Sequence, residues 1–373
     1  MIHVLGIASY RFLPAITGGQ KGIALFYKYF SGFVQLYCAS VKGMPADAKE
    51  GDYEIMPVFS NSSLRYINPL YFFRLKHIIK EKAITHVLLE HPYFGWLGYL
   101  LKKFLGVKLI VHSHNIEGLR FKSLGKWWWR ILLYYEKKIY QVADFNFFIT
   151  DEEREYAILN FGLKRDKSIT ITYGTELQTA TTPNQKAAAK KTVCQLHSIS
   201  EDIPLLLFSA AFNYMPNQKA LDAILFDINP KLLSAEKPYH ILICGPGLPD
   251  QYEQLSGYRN KQITYAGFVD DINLYFCAAD VFINPISEGG GIKTKVVEAL
   301  AANCSVVSYR SGAYGIPVEV TGGKLCIADD VNEFAECVLK NISISTSAIP
   351  ETFFKHFNWK EITMKAADEI KIS

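Results

Sequence analysis

The chain predicts an α/β protein built from two doubly wound, largely parallel sheets. Three observations carry that prediction. Short apolar runs alternate with amphipathic helical patterns; the alternation breaks between residues 175 and 202 and then restarts; and 373 residues is about two domains at roughly 150 each.

In chain order, residues 2–8 form the first apolar run. A loop with Pro14 and Gly18-Gly19 follows, and then a helical pattern over 22–30. Strand, glycine loop and helix are how a doubly wound sheet opens. The alternation continues with strands at 84–89 and 107–111 around a helix at 97–105, a longer helical pattern at 127–142, and strands at 145–149 and 169–173. Such short apolar strands suit a sheet buried on both faces. Thr, Ala, Pro, Asn and Gln then crowd residues 179–185, which makes 175–202 the predicted linker. Beyond it, strands are predicted at 205–209, 240–244, 263–265, 281–284, 305–308 and 324–327, with helices after Pro216 and up to about residue 302. A last helical pattern covers 353–370.

Hydrophobic residues make up 49% and charged residues 20% of the chain, which excludes a disordered, collagenous or coiled-coil protein. The net charge of +4 hides an asymmetry. Residues 1–175 carry 23 basic and 14 acidic side chains, net +9, and the rest carries 17 and 22, net −5. Of 51 aromatic residues, 32 precede residue 176. A basic, aromatic-rich first half suits an anionic membrane surface, and no nucleic-acid motif competes with that reading. Arg120 to Lys138, with Trp127, Trp128 and Trp129 among Lys122, Lys126, Arg130, Lys137 and Lys138, is the stretch expected to make peripheral contact. Three adjacent tryptophans cannot share one helix face, so one or two are expected in the core. Seven widely spaced cysteines without a C-x-x-C pair point to mostly reduced core thiols and a cytoplasmic location. No apolar stretch approaches the roughly 20 residues of a spanning helix.

The richest chemistry lies between Asn284 and Ala301, where a strand end, Gly289-Gly290-Gly291 and an amphipathic helix follow one another. With a helix begun at Gly291, Lys295 and Glu298 share that glycine's face, and Glu298 lies roughly 10 Å along the axis. Free amides, a helix dipole and Lys295 would then face a diphosphate, while Glu298 accepts from a ribose. A helix begun later frees Lys293 for phosphate as well. A glycine turn before a surface helix with a Lys295–Glu298 pair fits the same spacing. Asp270-Asp271 and Asp329-Asp330 read as helix caps, and no zinc spacing, nucleophile elbow or Walker loop occurs.

These residues resemble the retaining glycosyltransferases of family 4. The strongest match is the run from Gly289 to Ala301 followed by Ser311-Gly-Ala-Tyr-Gly-Ile-Pro, and weaker matches cover 14–19, 107–115, 170–174, 208–230, 241–247, 265–271 and the Phe357-Asn-Trp tail. The resemblance implies a GT-B fold, two Rossmann-like domains facing across a cleft: residues 1–174 on the acceptor side, joined by a C-terminal helix at 351–373, a linker at 175–202, and a nucleotide-sugar domain at 203–350. It implies that Glu298 holds the ribose, that Lys293, Lys295, Gly289, Gly290, Gly291, Gly18 and Gly19 face the diphosphate, and that Gly267, Phe268 and Val269 lie beside the base. His114 matches the histidine beside the donor sugar and, with Lys295 and Glu288, makes up the expected catalytic set.

Two departures stand out. Gly290 occupies the place of a glutamate that many members carry, with Glu288 two residues upstream as its substitute, and only Lys219 follows the first strand of the second domain where an Arg and a Lys are usual. The implied activity is sugar transfer from a nucleotide-diphosphate sugar to an acceptor hydroxyl, free or lipid-linked, in polysaccharide or glycolipid biosynthesis, without cofactor or obligatory metal. A sugar-nucleotide epimerase or hydrolase of the same fold, and a non-catalytic nucleotide-sugar binder, are the alternatives.

Overall fold

The computed structural model describes residues 2–288, 290–343 and 347–371. The chain divides into two compact units, one of residues 1–174 and 357–373 and the other of 175–356.

In the first unit the strands are β1 (His3–Ala8), β2 (Gln35–Val41), β3 (Tyr53–Phe59), β4 (His86–Glu90), β5 (Lys108–Ser113), β6 (Phe145–Phe148) and β7 (Ser168–Thr170). They pair in parallel in the order β3-β2-β1-β4-β5-β6-β7, so the winding reverses between β1 and β4. Helix α1 (Gly18–Phe30) buries Phe26, Tyr27 and Phe30. The helices α2 (Leu70–Glu81), α3 (Gly95–Leu105), α4 (Glu117–Ser123), α5 (Trp129–Val142) and α6 (Asp151–Phe161) follow. Leu75 and Ile79 of α2, Leu97 and Leu101 of α3, Ile139 of α5 and Ala157 of α6 share one core with Leu5, Leu89 and Leu109 of the sheet. Strands β2 and β3 carry charged or polar residues at Gln35 and Glu54, so their sequence lacks the uninterrupted apolar signal of the central strands.

The second unit begins with α7 (Pro183–His197), which corrects the linker expected at 175–202. Thr182 and Gln185 close a capping box on α7, and the Lys186 Nζ donates to the carbonyls of Cys277 and Ala279, so this Thr/Pro/Gln-rich stretch starts a helix of the unit. Then come β8 (Leu205–Ser209), α8 (Met215–Asp222), α9 (Asn229–Ser234), β9 (His240–Cys244), β10 (Ile263–Gly267), α10 (Ile272–Ala278), β11 (Val281–Asn284), α11 (Thr294–Ala301), β12 (Ser305–Tyr309), β13 (Leu325–Ala328), α12 (Val331–Ser343) and α13 (Glu351–His356). All strands are parallel in the order β10-β9-β8-β11-β12-β13, and here the winding reverses between β8 and β11. Asp271 and Asp330 cap helices as expected. Cys326 and Cys337 are joined in a disulfide; the other five cysteines are free thiols.

The chain returns to the first unit as α14 (Trp359–Lys371), so the exchange falls at Phe357 rather than at residue 351. Trp359 is buried against Tyr173.

Candidate functional site

Ligands of open α/β sheets bind beyond the carboxyl ends of the strands, where the winding reverses. In the second unit that place is flanked by Ser209, which ends β8, and Asn284, which ends β11. Lys295, in the first turn of α11, sends its Nζ to the Ser209 carbonyl at 2.7 Å and lies 3.2 Å from the Ser209 Oγ. A cation is thereby fixed at the reversal point. The surrounding backbone is tightly set. Gly245 has φ +136, and a Cβ there would lie 1.7 Å from the Ala210 carbonyl oxygen, so only glycine fits. Asn284 Nδ2 donates to Ser308 Oγ and to the Gly312 carbonyl, and Ser311 Oγ donates to the Ile286 carbonyl. The Ser311-Gly-Ala-Tyr-Gly stretch is thus latched to the end of β11.

The loop before α11 corrects the helix start. Gly291 is left-handed at φ +67 and Lys293 is extended, so α11 begins at Thr294 and the helical span from Gly291 to Glu298 does not exist. Lys293 Nζ folds back onto the Gly290 and Gly291 carbonyls at 3.0 and 2.9 Å. Lys295 and Glu298 are three apart on α11 and keep their common face. Glu298 is half-buried. Glu288 pairs with Lys219 at 2.6 Å across a largely solvated gap, an ion pair of small energetic weight. Gly267, with φ +71, and half-buried Val269 flank exposed Phe268 at the end of β10, and the Gly245 amide donates to the Gly267 carbonyl at 2.7 Å. Gly289 lies outside the described residues.

In the first unit Gly18 and Gly19 open α1, where Gln20 Oε1 accepts from the Ile16 and Thr17 amides. His114 lies just past β5, and beneath it is a group that sequence reasoning passes over. Glu90 ends β4 with its carboxylate fully buried. Its Oε2 is 2.6 Å from His114 Nε2; His112 Nδ1 is 3.1 Å from the same oxygen, without the alignment of a hydrogen bond. Burial alone would raise the Glu90 carboxyl, but the His112 and His114 rings outweigh it and hold the group well below the usual carboxylate range. Burial pushes the His112 and His91 rings down. The His91 ring stacks on His114 at 4.5 Å, and Tyr10 Oη is 3.3 Å from His91 Nε2.

Ligand atoms of Glu90, His112 and His114 lie within 4.8 Å of one another, a donor set that also suits a transition metal. The 2.6 Å separation is that of a charge-assisted hydrogen bond. The signal for Glu90 was present in the chain: Glu90-His91 and His112-Ser-His114 end consecutive strands that pair in parallel.

None of the three tryptophans is core, contrary to expectation. Trp127 is 84% exposed, Trp128 packs on Phe121 with ring centroids 4.6 Å apart, and Lys122 and Arg130 lie over the Trp129 ring at 5.0 and 5.2 Å.

Residues 32–179 match the model of Glycosyltransferase Family 4, and residues 203–343 match that of Glycosyl transferases group 1. A chitobiosyldiphosphodolichol beta-mannosyltransferase from Debaryomyces hansenii is 25% identical over 300 residues, which is 71% of this chain and 62% of that relative's length. Among solved structures, sucrose-phosphate synthase from Thermosynechococcus elongatus superposes with a TM-score of 0.74 at 15% identity, covering 100% of this chain and 99% of that one. Anabaena HepE, solved in complex with UDP, gives 0.73 at 14% identity with both chains fully covered.

Proposed function

This chain is a family 4-type member of the GT-B glycosyltransferases, and from that premise we propose that it transfers a sugar from a nucleoside-diphosphate sugar to an acceptor hydroxyl with retention of the anomeric configuration. The observation that carries the reading is Lys295 Nζ fixed on Ser209 where the second sheet reverses its winding, one turn from the Gly290-Gly291 loop. A departing diphosphate needs positive charge and free amides at that point, and Lys295, Lys293 and the loop amides supply them. Glu298 then accepts from the ribose, and the Gly267–Val269 turn lies beside the base. Lys219, held by Glu288, adds a further cation. Within the first unit, His114 and the Gly18-Gly19 amides are the residues proposed to act in the same reaction. No metal is required by this arrangement, since the lysines carry the counter-charge.

HepE is solved with UDP, so a uridine nucleotide is the first donor to test, and the dolichol-linked name of the curated relative makes a lipid-linked saccharide the first acceptor. A peripheral position on the cytoplasmic face of a membrane is part of the same reading, and the first unit's surface supports it. Between Arg65 and Lys138 there are 14 basic and four acidic residues. Three of those acids, Glu90, Glu117 and Glu136, are buried, which leaves Glu81 against 14 cations. Phe104, Trp127 and Ile131 stand exposed among them. No helix among the described residues is long and apolar enough to cross a membrane.

The test is incubation of the purified chain with a panel of sugar nucleotides, with and without lipid-linked saccharides, and NMR of the product's anomeric proton. Acceptor-dependent release of nucleoside diphosphate with retained configuration is expected. Donor turnover that ignores acceptor indicates the epimerase or hydrolase alternative, and binding without turnover indicates a binding protein.

A further inference from the structure

We propose that Glu90 is a positioning residue for His114: its buried carboxylate accepts a hydrogen bond from His114 Nε2–H, so that in this tautomer of the ring Nδ1 is the acceptor for a substrate hydroxyl. The inference rests on the sugar-transfer reading and adds to it the residue that fixes the imidazole.

Four observations converge. First, the carboxylate has no exposure, and Oε2 lies 2.6 Å from His114 Nε2; an ionised carboxylate only accepts, so the ring makes that contact by donating from Nε2–H. In a neutral imidazole the other nitrogen is then an acceptor. Second, the ring cannot turn over freely: His91 stacks on it at 4.5 Å with 26° between planes, and His112 packs at 4.6 Å. Third, the Nδ1 edge faces helix α1. A Cβ placed on Gly22 would be 3.8 Å from both His114 Nδ1 and Cε1, so the hydrogen at that position leaves the edge uncrowded. Gly22 lies one turn beyond Gly18, which puts Nδ1 toward the glycine end of α1. Fourth, the location is a reversal point: Glu90 ends β4, pairs in register with Ala8 of β1 and His112 of β5, and so stands where the first sheet changes winding direction. An ionised carboxylate buried at such a place costs several kcal/mol unless a donor satisfies it, and the His114 Nε2–H is that donor.

The groups around the pair do not compete for its proton. Tyr27 from α1 and Cys38 from β2 are both pushed well up by burial and stay neutral. Glu117, on α4, is engaged by Arg120 at 2.6 Å, and Tyr10 Oη turns to His91.

The experiment compares Glu90→Leu, Glu90→Gln and the unsubstituted chain. Long-range 1H–15N correlation spectra of the His114 ring, recorded without substrate, report which nitrogen carries the proton, and steady-state kinetics follow. The expected result is a pure Nε2–H form in the unsubstituted chain and a mixture of tautomers in Glu90→Leu. That variant should lose 10- to 100-fold in kcat with KM for donor changed less than threefold, and Glu90→Gln, whose amide oxygen still accepts, should recover part of the loss. Unchanged ring signals in Glu90→Leu overturn the proposal. So do equal losses in both variants that track a fall in melting temperature. Because the spectra need no turnover, a chain that transfers no sugar at all refutes the activity while the Glu90–His114 pairing is still decided.

Discussion

Replacing Lys295 with Met keeps the reach of the side chain and removes its charge. The Nζ donates to Ser209 at 2.7 Å, so the ammonium is already placed and oriented, and little ordering remains when a diphosphate arrives. A hydrogen bond to a charged group is worth about 1.5–3 kcal/mol, which corresponds to about 10- to 150-fold in Kd. Isothermal titration of Lys295→Met with UDP should show that weakening. Uridine, which has no phosphate, should bind the variant and the unsubstituted chain alike, and Lys219→Met, in a solvated pair, should cost less than Lys295→Met. Losing UDP and uridine affinity equally would mean that the substitution disturbs the fold rather than the phosphate contact. Unchanged UDP affinity would remove Lys295 from the phosphate site altogether.

Gly312→Ala would set a Cβ 2.5 Å from both Asn284 Nδ2 and Ser308 Oγ, and should lower unfolding free energy by about 1–3 kcal/mol in urea denaturation. Burial first, and the acids Glu117 and Glu153 beside it, push the Glu136 carboxyl up to about 8, against the pull of the Glu117 and Gly118 amides. The folded chain therefore holds a proton there that the unfolded chain has already lost above its ordinary value near 4.3. Stability attributable to this group is present at low pH and falls as pH rises toward 8. The melting-temperature advantage of Glu136→Gln should accordingly grow from pH 5 to pH 8 and level off above. Charge reversal at Lys122, Lys126 and Arg130 together should abolish co-sedimentation with phosphatidylglycerol vesicles, which 0.5 M salt should also weaken, while phosphatidylcholine vesicles should retain neither form. EDTA should leave donor turnover within twofold.

Most of what orders the two sheets could be read from the chain, because the central strands are buried on both faces and their apolar runs are continuous. The strands at 205–209, 240–244 and 281–284 fall where predicted. The outer strands β2 and β3 went unread, since each mixes polar side chains into its run. Residues 175–202 misled for a related reason: Thr182-Pro183 and Gln185 look like linker composition, yet they are what a helix start needs. In the site, glycines and lysines signalled themselves by type. Glu90 did not, because its meaning depends on the pairing of β4 with β5, which joins residues 22 and 24 positions apart in the chain.

The last helix belongs to the first unit. Trp359 sits so close to Gly174 that a Cβ there would be 2.7 Å from the indole ring, and α14 packs along α1. A ribosome making this chain must therefore emit residues 357–371 before the first unit can be completed, and its sheet waits, lacking one helix, while nearly two hundred further residues are synthesised. Removing α14, or loosening it with a fused tag, would damage the unit built mainly from residues 1–174.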